Sequence, residues 1–512
     1  MRKILIIFLA LYFSNLMCCA NTADEKWNND LRSLFLQNKS IMYALNIRTF
    51  NAKDKNGDEL IDENEESGNF LNAIERLDEL KALGINTIHV LPINKTGKIK
   101  ALGTAGSVYA MSEFTQINPQ FKDTSSNLST KEQAKKFIAE CHNRDIRVVV
   151  DLPSCGAYDM FLNSPQYFVK NNKGQPIIPL DWTDIRVLKS STGFWHDDEI
   201  YSQHKAYVDM LIELGADGIR ADVATMKSFN FWQKLISYTR KKSQEFMFLA
   251  EASNAWVEAP SKYASFTTYD KLLDAGFDGY YGDFFELKDW ETSKELFKSV
   301  KNNIKIHKNE NKSVIASFTT HDETSPILLH GENFSKMIIW LNATLPFNSY
   351  FVDGFQSGDT YDYQWANKRA TKSYTDDDYY FNHKGKFDLF NFSRKPQGDN
   401  KEILEEFILA NKFKQYYMDE LSTMRFIPLR SSEKEVFAYA RSNGNFTIVV
   451  IGNLNKNNKM NTTVRVRGLS DKDKYINLRL NKDITPKINS GKIITELDKG
   501  DIQVLLFKGV SL

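Results

Sequence analysis

The feature that most constrains this fold is the alternation of short β-type runs with helical patterns between residues 41 and 350. Such alternation is typical of βα units around a parallel sheet. Eight runs have strand character, and they occupy residues 41–49, 86–93, 146–152, 217–222, 246–251, 277–282, 313–322 and 345–352. Eight strands with intervening helices predict a (β/α)8 barrel, a fold that takes ~250 residues or more as one unit.

The segments between the runs carry the helical period. Apolar residues repeat at i, i+3, i+4 and i+7 over 134–141, and Ser129 with Glu132 forms a capping box before them. A second pattern over 70–81 predicts one helix that stops at Gly84.

Two stretches depart from the alternation. About fifty residues rich in Pro, Asn, Gly and aromatic side chains follow the third run, which predicts a small inserted domain over 152–200. From residue 425 the pattern changes to short alternating strands with turn signals. The sequence therefore predicts the α/β class: a TIM barrel over 21–424 that contains the insertion, and a C-terminal all-β sandwich domain over 425–512.

Residues 1–20 have the character of an export signal and are not counted as part of the fold. Two basic residues precede a short apolar run over 4–13, which is below the ~20 residues needed to span a bilayer. Two processing routes stay open: cleavage after Ala20, or attachment of lipid to Cys18 or Cys19. We expect a protein that is secreted, periplasmic or anchored to a membrane through a lipidated cysteine.

Charge and cysteine content exclude several classes of site. The 66 basic and 65 acidic residues leave a net charge of +1, so bulk charge gives no attraction for nucleic acid. Beyond the export segment only Cys141 and Cys155 remain, either as one disulfide or as two free thiols. The sequence has no phosphate-binding loop, dinucleotide-binding motif or nucleophile elbow, and we expect no organic cofactor.

Carboxylates end four of the otherwise apolar runs. These are Asp151, Asp222, Glu251 and Asp322, and Arg220 lies two residues before Asp222. The C-terminal ends of barrel strands meet at one rim, where this fold places its active sites. One acid there could merely cap a helix or pair with an arginine, but four at one rim cost energy unless a ligand or a reaction uses them.

Several acids with few histidines favour glycoside cleavage. That reaction needs one ionised carboxylate as nucleophile and one protonated carboxyl group as general acid. We expect Arg220 to hold Asp222 ionised, and the apolar run before Glu251 to raise the pKa of Glu251. The residues also leave open a metal-dependent barrel enzyme in which Asp151, Asp222 and Glu251 bind Mg²⁺.

Several of these segments resemble a known family. The sequences GIRAD (218–222), FLAE (248–251) and FTTHD (318–322), in that order, resemble the α-amylase family of retaining glycoside hydrolases and transglycosylases. The segment YAMSEFTQINPQF (109–121) resembles the stretch between the second and third strands of that family. The resemblance extends from about residue 40 to the C-terminus. It implies an enzyme that acts on α-linked oligosaccharides or polysaccharides, by hydrolysis or by transfer to another sugar.

The resemblance also implies a role for each matching residue. Asp222 would be the nucleophile, Glu251 the acid/base and Asp322 the transition-state stabiliser. Four more residues would bind or support the substrate: Tyr109 by stacking, His321 by hydrogen bonding, Arg220 by orienting the nucleophile, and Asp151 by supporting the site.

Three positions depart from the family pattern. Cys155-Gly156 occupies the place where the third-strand motif usually continues to Asn-His. Thr320 stands where an Asn usually precedes the His-Asp pair, and Thr225-Met226 stands where many amylases have Lys-His. These departures keep open an alternative, a non-catalytic relative that binds carbohydrate or a partner protein.

The loop after the first strand has oxygen-bearing residues at every second position. This spacing lets oxygen ligands surround one hard cation. The pattern resembles the Ca²⁺ loop in the oligosaccharide-cleaving branch of the same family. It predicts a structural Ca²⁺ held by Asp54, Asn56, Asp58, the backbone carbonyl of Leu60, and Asp62. A solvated acidic loop without an ion is the alternative.

Overall fold

A computed structural model describes residues 27–512 except 54, 56–64, 102–105, 180–181, 192–197, 257, 260, 361–399 and 480–484. Eight parallel strands close into a barrel in the order β1-β2-β3-β6-β7-β8-β9-β10. They are β1 (Ile41–Leu45), β2 (Thr87–Val90), β3 (Arg147–Leu152), β6 (Gly218–Ala221), β7 (Met247–Ala250), β8 (Gly279–Tyr280), β9 (Ser313–Ala316) and β10 (Asn348–Val352). Each strand lies within one of the eight predicted runs, and the TIM barrel is confirmed.

Helices connect and flank the strands. They are α1 (Leu31–Leu36), α2 (Ile47–Phe50), α3 (Phe70–Ile74), α4 (Leu77–Ala82), α5 (Thr130–His142), α6 (Tyr158–Asn163), α7 (Glu199–Leu214), α8 (Phe229–Lys242), α9 (Tyr269–Ala275), α10 (Ser293–Glu310), α11 (Pro326–Thr344), α12 (Lys401–Tyr416) and α13 (Met418–Thr423). The capping box of Ser129 and Glu132 starts α5 as predicted. The single helix expected over 70–81 is wrong. The N–H groups of Glu75 and Arg76 bond to carbonyls three residues back, and this tighter turn separates α3 from α4.

The lower end of the barrel is closed by α1. Leu31 and Phe35 pack in one buried cluster with inward-facing strand residues such as Met42 and Val149. A side chain at Gly279 of β8 would place its Cβ 2.6 Å from the Phe35 ring, so glycine makes room for this plug. The barrel interior is therefore a packed core, and chemistry is confined to the upper, C-terminal ends of the strands.

The insertion after β3 contains a two-stranded antiparallel sheet. Its strands are β4 (Cys155–Ala157) and β5 (Ile185–Val187). One apolar cluster joins this sheet to the turn after β6, and it includes Cys155, Val223 and Met226. The insertion is thus packed directly against the strand end that carries Asp222.

The C-terminal region is an eight-stranded antiparallel sheet in the order β15-β18-β13-β12-β11-β14-β17-β16. Its strands are β11 (Arg425–Ser431), β12 (Val436–Ser442), β13 (Phe446–Asn453), β14 (Met460–Arg465), β15 (Tyr475–Asn477), β16 (Lys487–Asn489), β17 (Lys492–Leu497) and β18 (Ile502–Lys508). Val449 of β13 and Ile493 of β17 belong to one buried apolar cluster. The two ends of the sheet therefore share one apolar core, and the predicted C-terminal all-β domain is present.

Cys141 and Cys155 are free and buried, so the alternative with two thiols holds. Among the described residues no helix is both long enough and apolar enough to cross a bilayer. The export segment lies outside the described residues. So do the five residues predicted to bind Ca²⁺, which are Asp54, Asn56, Asp58, Leu60 and Asp62.

Candidate active site

One buried guanidinium joins three of the strand-end acids. The Nη1 group of Arg220 donates to Asp151 Oδ1 at 2.9 Å and to Asp222 Oδ1 at 3.0 Å. Its Nη2 lies 2.8 Å from Glu251 Oε1. The parallel register pairs Asp151 with Arg220 across β3 and β6, which places these side chains at one level of the rim. A single cation is therefore shared by three carboxyl groups.

The turn after Asp222 ties the two central acids together. Val223 has φ 35° and ψ 55°, the left-handed conformation that is unfavourable for a β-branched residue. In this conformation its backbone N–H donates to Glu251 Oε2 at 2.7 Å. The other oxygen of Asp222, Oδ2, lies 3.4 Å from the N–H of Ser154. Strain at a site of this kind is typical of a functional constraint.

Burial is the largest influence on the pKa values of both central acids. It raises the pKa of Glu251 to about 8 and the pKa of Asp222 to about 7, against the attraction of Arg220. The expected rise for Glu251 is confirmed. The expectation that Arg220 holds Asp222 ionised is wrong for the free protein. The reason is that burial outweighs the attraction of Arg220, which is divided among three acids, and that Asp151 and Asp322 also repel a charge on Asp222.

Asp151 lies beneath the site and is held by side-chain donors. Besides Arg220, His89 Nε2 lies 3.2 Å and the Tyr109 hydroxyl 2.7 Å from its Oδ2. The hydroxyl of Tyr207 donates to its backbone carbonyl at 2.6 Å. Burial by itself would raise the pKa of Asp151, but Arg220 and His89 lower it to about 2. Asp151 is thus a fixed negative charge at neutral pH.

The end of the seventh barrel strand, β9, supplies the last predicted acid. The ring of His321 stacks parallel to that of Tyr109 with centroids 5.7 Å apart, and His321 Nε2 lies 2.7 Å from the Tyr109 hydroxyl. Burial lowers the pKa of His321 to about 4, so its imidazole is neutral. Asp322 Oδ2 lies 3.4 Å from His321 Nε2, and the Asp322 side chain is 38% exposed. All seven predicted catalytic and substrate-binding residues are therefore connected by direct contacts.

Three residues of the site were not found from the sequence. His89 of β2, Tyr350 of β10 and Tyr281, which follows β8, point into the barrel below the acids, and all three are buried. Tyr281 accepts a hydrogen bond from Arg220 Nε at 3.1 Å. The only sequence signal for these three residues was that each is a polar side chain inside an apolar strand run. A residue of the barrel core can give the same signal.

Two of the departures from the family pattern, Cys155 and Met226, contact each other. Cys155 Sγ lies 4.0 Å from Met226 Sδ, and both side chains are buried next to Val223. Thr320 Oγ1 accepts a hydrogen bond from the backbone N–H of Asp322 at 3.2 Å. A contact between two sulfur atoms therefore takes the place of side chains from the Asn-His and Lys-His pairs that are usual in the family. In the loop that carries Asp322, Thr320 supplies a side-chain hydrogen-bond acceptor.

The Mg²⁺ alternative does not fit this geometry. Within the described part of the chain, no group of three or more His, Cys, Asp or Glu side chains could hold a metal ion. The Arg220 guanidinium occupies the position between Asp151, Asp222 and Glu251 that a metal would need. The charge that these acids require is thus supplied by the chain itself.

Acids gathered around one arginine at the strand ends of a parallel barrel form an arrangement that suits glycoside cleavage. Comparison with known proteins agrees with this. Residues 47–172 match the family model described as the catalytic domain of alpha amylase. The chain is 28% identical over 296 residues to alpha-amylase 2 of Dictyoglomus thermophilum, covering 56% of this chain and 48% of that relative. It is 25% identical over 240 residues to a cyclomaltodextrinase of a Bacillus species, covering 43% and 39%. The chain is therefore similar to proteins of the α-amylase family of glycoside hydrolases, and the family model is matched over residues 47–172.

Solved structures show the same fold over almost the whole chain. A noncanonic maltogenic alpha-amylase from Thermotoga neapolitana superimposes with a TM-score of 0.67 at 18% identity, covering 93% of this chain and 99% of its own. An alpha-amylase of Geobacillus thermoleovorans, complexed with acarbose, gives a TM-score of 0.66 at 16% identity and covers 93% and 99%. The curated relatives are longer, and the aligned region spans about half of their length or less.

Proposed function

We propose that this protein is an exported glycosidase that cleaves α-linked glucosides or glucans by a retaining double displacement. The observation that carries the proposal is the Arg220 guanidinium, which contacts both Asp222 and Glu251. A retaining enzyme needs its two carboxyl groups about 5–5.5 Å apart, with no room for a water between them. Two acids held on one guanidinium suit this mechanism better than an inverting one.

In the first step Glu251 donates its proton to the leaving glycosidic oxygen while an Asp222 oxygen attacks the anomeric carbon. The bond from that carbon to the leaving oxygen breaks, and a covalent β-glycosyl ester forms on Asp222. Burial raises the pKa of Glu251 well above its ordinary value, which suits the group that must carry the proton at neutral pH. Asp322, the most exposed of the acids, is placed to accept hydrogen bonds from sugar hydroxyls.

In the second step the Glu251 carboxylate removes a proton from an acceptor hydroxyl, and the acceptor oxygen displaces Asp222 from the sugar. Water as the acceptor gives hydrolysis, and a second sugar gives transfer. The substrate class is suggested by the similar proteins, which include alpha-amylases, a cyclomaltodextrinase and a maltogenic alpha-amylase. Each of those names refers to the relative alone, and the activity of this chain on α-linked glucose chains is our proposal.

Trapping the glycosyl ester tests the mechanism. In Glu251→Gln with an α-maltosyl fluoride, the fluoride leaves without acid catalysis, but no base activates the acceptor. We expect the intact mass to rise by one maltosyl group, located by peptide mapping on Asp222, and we expect no adduct in Asp222→Asn. Binding of maltooligosaccharides without an adduct or turnover would favour the non-catalytic alternative.

We further propose that the loop over 54–62 binds a structural Ca²⁺. The chain on either side of this loop is held together. The N–H of Lys53 donates to the carbonyl of Glu66 at 2.8 Å, and the N–H of Lys55 donates to Glu65 Oε1 at 2.6 Å. When the ends of a loop are held together in this way, successive oxygen ligands of the loop can reach one cation.

Export, with either a free or a lipidated N-terminus, also remains a proposal. It rests on the basic start, the short apolar run and the cysteines at the end of the first twenty residues. Intact mass of the protein isolated from the membrane and soluble fractions of its host distinguishes the two routes. A cleaved, lipidated cysteine adds acyl mass, whereas plain cleavage leaves Asn21 as the first residue.

A further inference from the structure

A closed ring of hydrogen-bonded side chains lies inside the barrel below the acids. Arg220 Nε contacts the Tyr281 hydroxyl at 3.1 Å, which lies 3.3 Å from the Tyr350 hydroxyl. The Tyr350 hydroxyl lies 3.0 Å from His89 Nδ1, and His89 Nε2 lies 3.2 Å from Asp151 Oδ2. Asp151 Oδ1 returns to Arg220 Nη1 at 2.9 Å. All five side chains are buried, and the family resemblance assigns no role to His89, Tyr281 or Tyr350.

The protons of this ring run in one direction. Arg220 can only donate and the ionised Asp151 can only accept, so with a neutral His89 between them the Tyr281 hydroxyl accepts from Arg220 and donates to Tyr350. Tyr350 then donates to His89 Nδ1, which must carry a lone pair, and His89 Nε2–H donates to Asp151. The ring thereby selects one tautomer of a neutral imidazole. It also holds Arg220 at two points, through Nε and through Asp151.

We infer that His89 and Tyr350 are positioning residues that fix how the Arg220 guanidinium is shared between Asp222 and Glu251. This inference rests on the proposed function of those two acids. If the ring opens at Tyr350, His89 Nδ1 and the Tyr281 hydroxyl both lose a partner. Arg220 then keeps its contact with Asp151, but its Nε donates to a Tyr281 hydroxyl that Tyr350 no longer holds in place.

Burial keeps the imidazole of His89 neutral although charged groups surround it. The groups that face it are the carboxylates of Asp151 and Asp322, the guanidinium of Arg220 and the imidazole of His321, whose centroid is 6.0 Å away. Burial lowers the pKa of His89, and the attraction of the two carboxylates opposes this only in part. His89 therefore acts as a hydrogen-bond donor to Asp151 without adding a second positive charge beside Arg220.

The test compares Tyr350→Phe with Tyr43→Phe. Tyr43 lies on the neighbouring strand β1 but faces away from the barrel interior, and its buried hydroxyl bonds to Asp353 and Gln356. Tyr43→Phe is therefore a matched control, because it also removes one buried hydroxyl. For Tyr350→Phe we expect kcat/KM on maltooligosaccharides to fall about tenfold, with the acid limb of its pH profile moved to higher pH. The limb moves because Asp222 loses part of its contact with Arg220. Tyr43→Phe should leave the profile in place, and a comparable change in both variants overturns the inference.

His89 offers a second, conservative test. Gln can accept from Tyr350 and donate to Asp151, whereas Leu can do neither. We expect His89→Gln to retain several times more kcat/KM than His89→Leu, and ¹⁵N spectra of the wild type to show the Nε2–H tautomer of His89. Equal activity of the two variants, or the other tautomer, overturns the inference. An inactive wild type that forms no glycosyl adduct would instead show that the proposed function has failed.

Discussion

Replacing Glu251 by Gln should stabilise the fold while abolishing acid catalysis. The buried carboxyl of Glu251 has a pKa of about 8 in the folded protein, against an ordinary value of 4.5. A raised pKa means that the folded state prefers the protonated acid, which Gln imitates in shape and charge. The wild type therefore loses stability relative to Glu251→Gln as the pH rises from the ordinary value through the folded value.

The size of this difference follows from the two pKa values. Each pH unit between them is worth about 1.4 kcal/mol, which gives on the order of 3 kcal/mol at pH 7 and 5 kcal/mol above pH 8. At pH 5 the two proteins should be nearly equal. These are upper bounds, because the Gln side chain gives up the charged contact with Arg220.

The assay is thermal unfolding of both proteins from pH 5 to pH 9, with Glu258→Gln as the matched control. Glu258 is an exposed carboxylate on the loop that follows Glu251, so its replacement makes the same chemical change at a position that is not buried. For Glu251→Gln we expect the midpoint to rise above that of the wild type by several degrees, and the gap to widen with pH. A gap that is constant, or that favours the wild type at pH 8, would refute the reasoning about burial.

Three further predictions concern other parts of the chain. Asp222→Asn should lower kcat by orders of magnitude without lowering the thermal midpoint, because burial raises the pKa of Asp222 as well; comparable activity would sink the nucleophile assignment. Added Ca²⁺ should raise the midpoint of stripped wild type but not of Asp54→Ala; no rise in the wild type counts against the loop. Cys141 and Cys155 should react with a thiol reagent only after denaturation, because both are buried and burial raises their pKa values. Rapid labelling of the native protein would contradict that packing.

The barrel was predictable because its strands are short apolar runs that end in polar residues. Even β8, only two residues long, lies within its predicted run. Asp151, Asp222, Glu251 and Asp322 were predictable for the same reason, since an acid that ends an apolar strand is conspicuous. The contacts of Asp151, Asp222 and Glu251 with Arg220 agree with the prediction that these acids meet at one rim of the barrel.

The sequence did not reveal that several acids share one arginine as their partner. Arg220 was matched with its nearest acid along the chain, Asp222, but in space it also reaches Asp151 and Glu251. His89 and Tyr350 looked like core residues because the barrel interior and the site lie on the same face of each strand. Which inward residue meets water and which meets an arginine depends on the heights of neighbouring strands, and that register is a property of the closed barrel.

The most direct test of the account is proton NMR of the purified mature chain with maltooligosaccharides, using Asp222→Asn as the blank. The account predicts new anomeric signals that appear first in the α form and mutarotate to the β form later, with none in the blank. Products that appear first in the β form would contradict the retaining mechanism. No new signal over a day would contradict the assignment of an α-glucan-active enzyme.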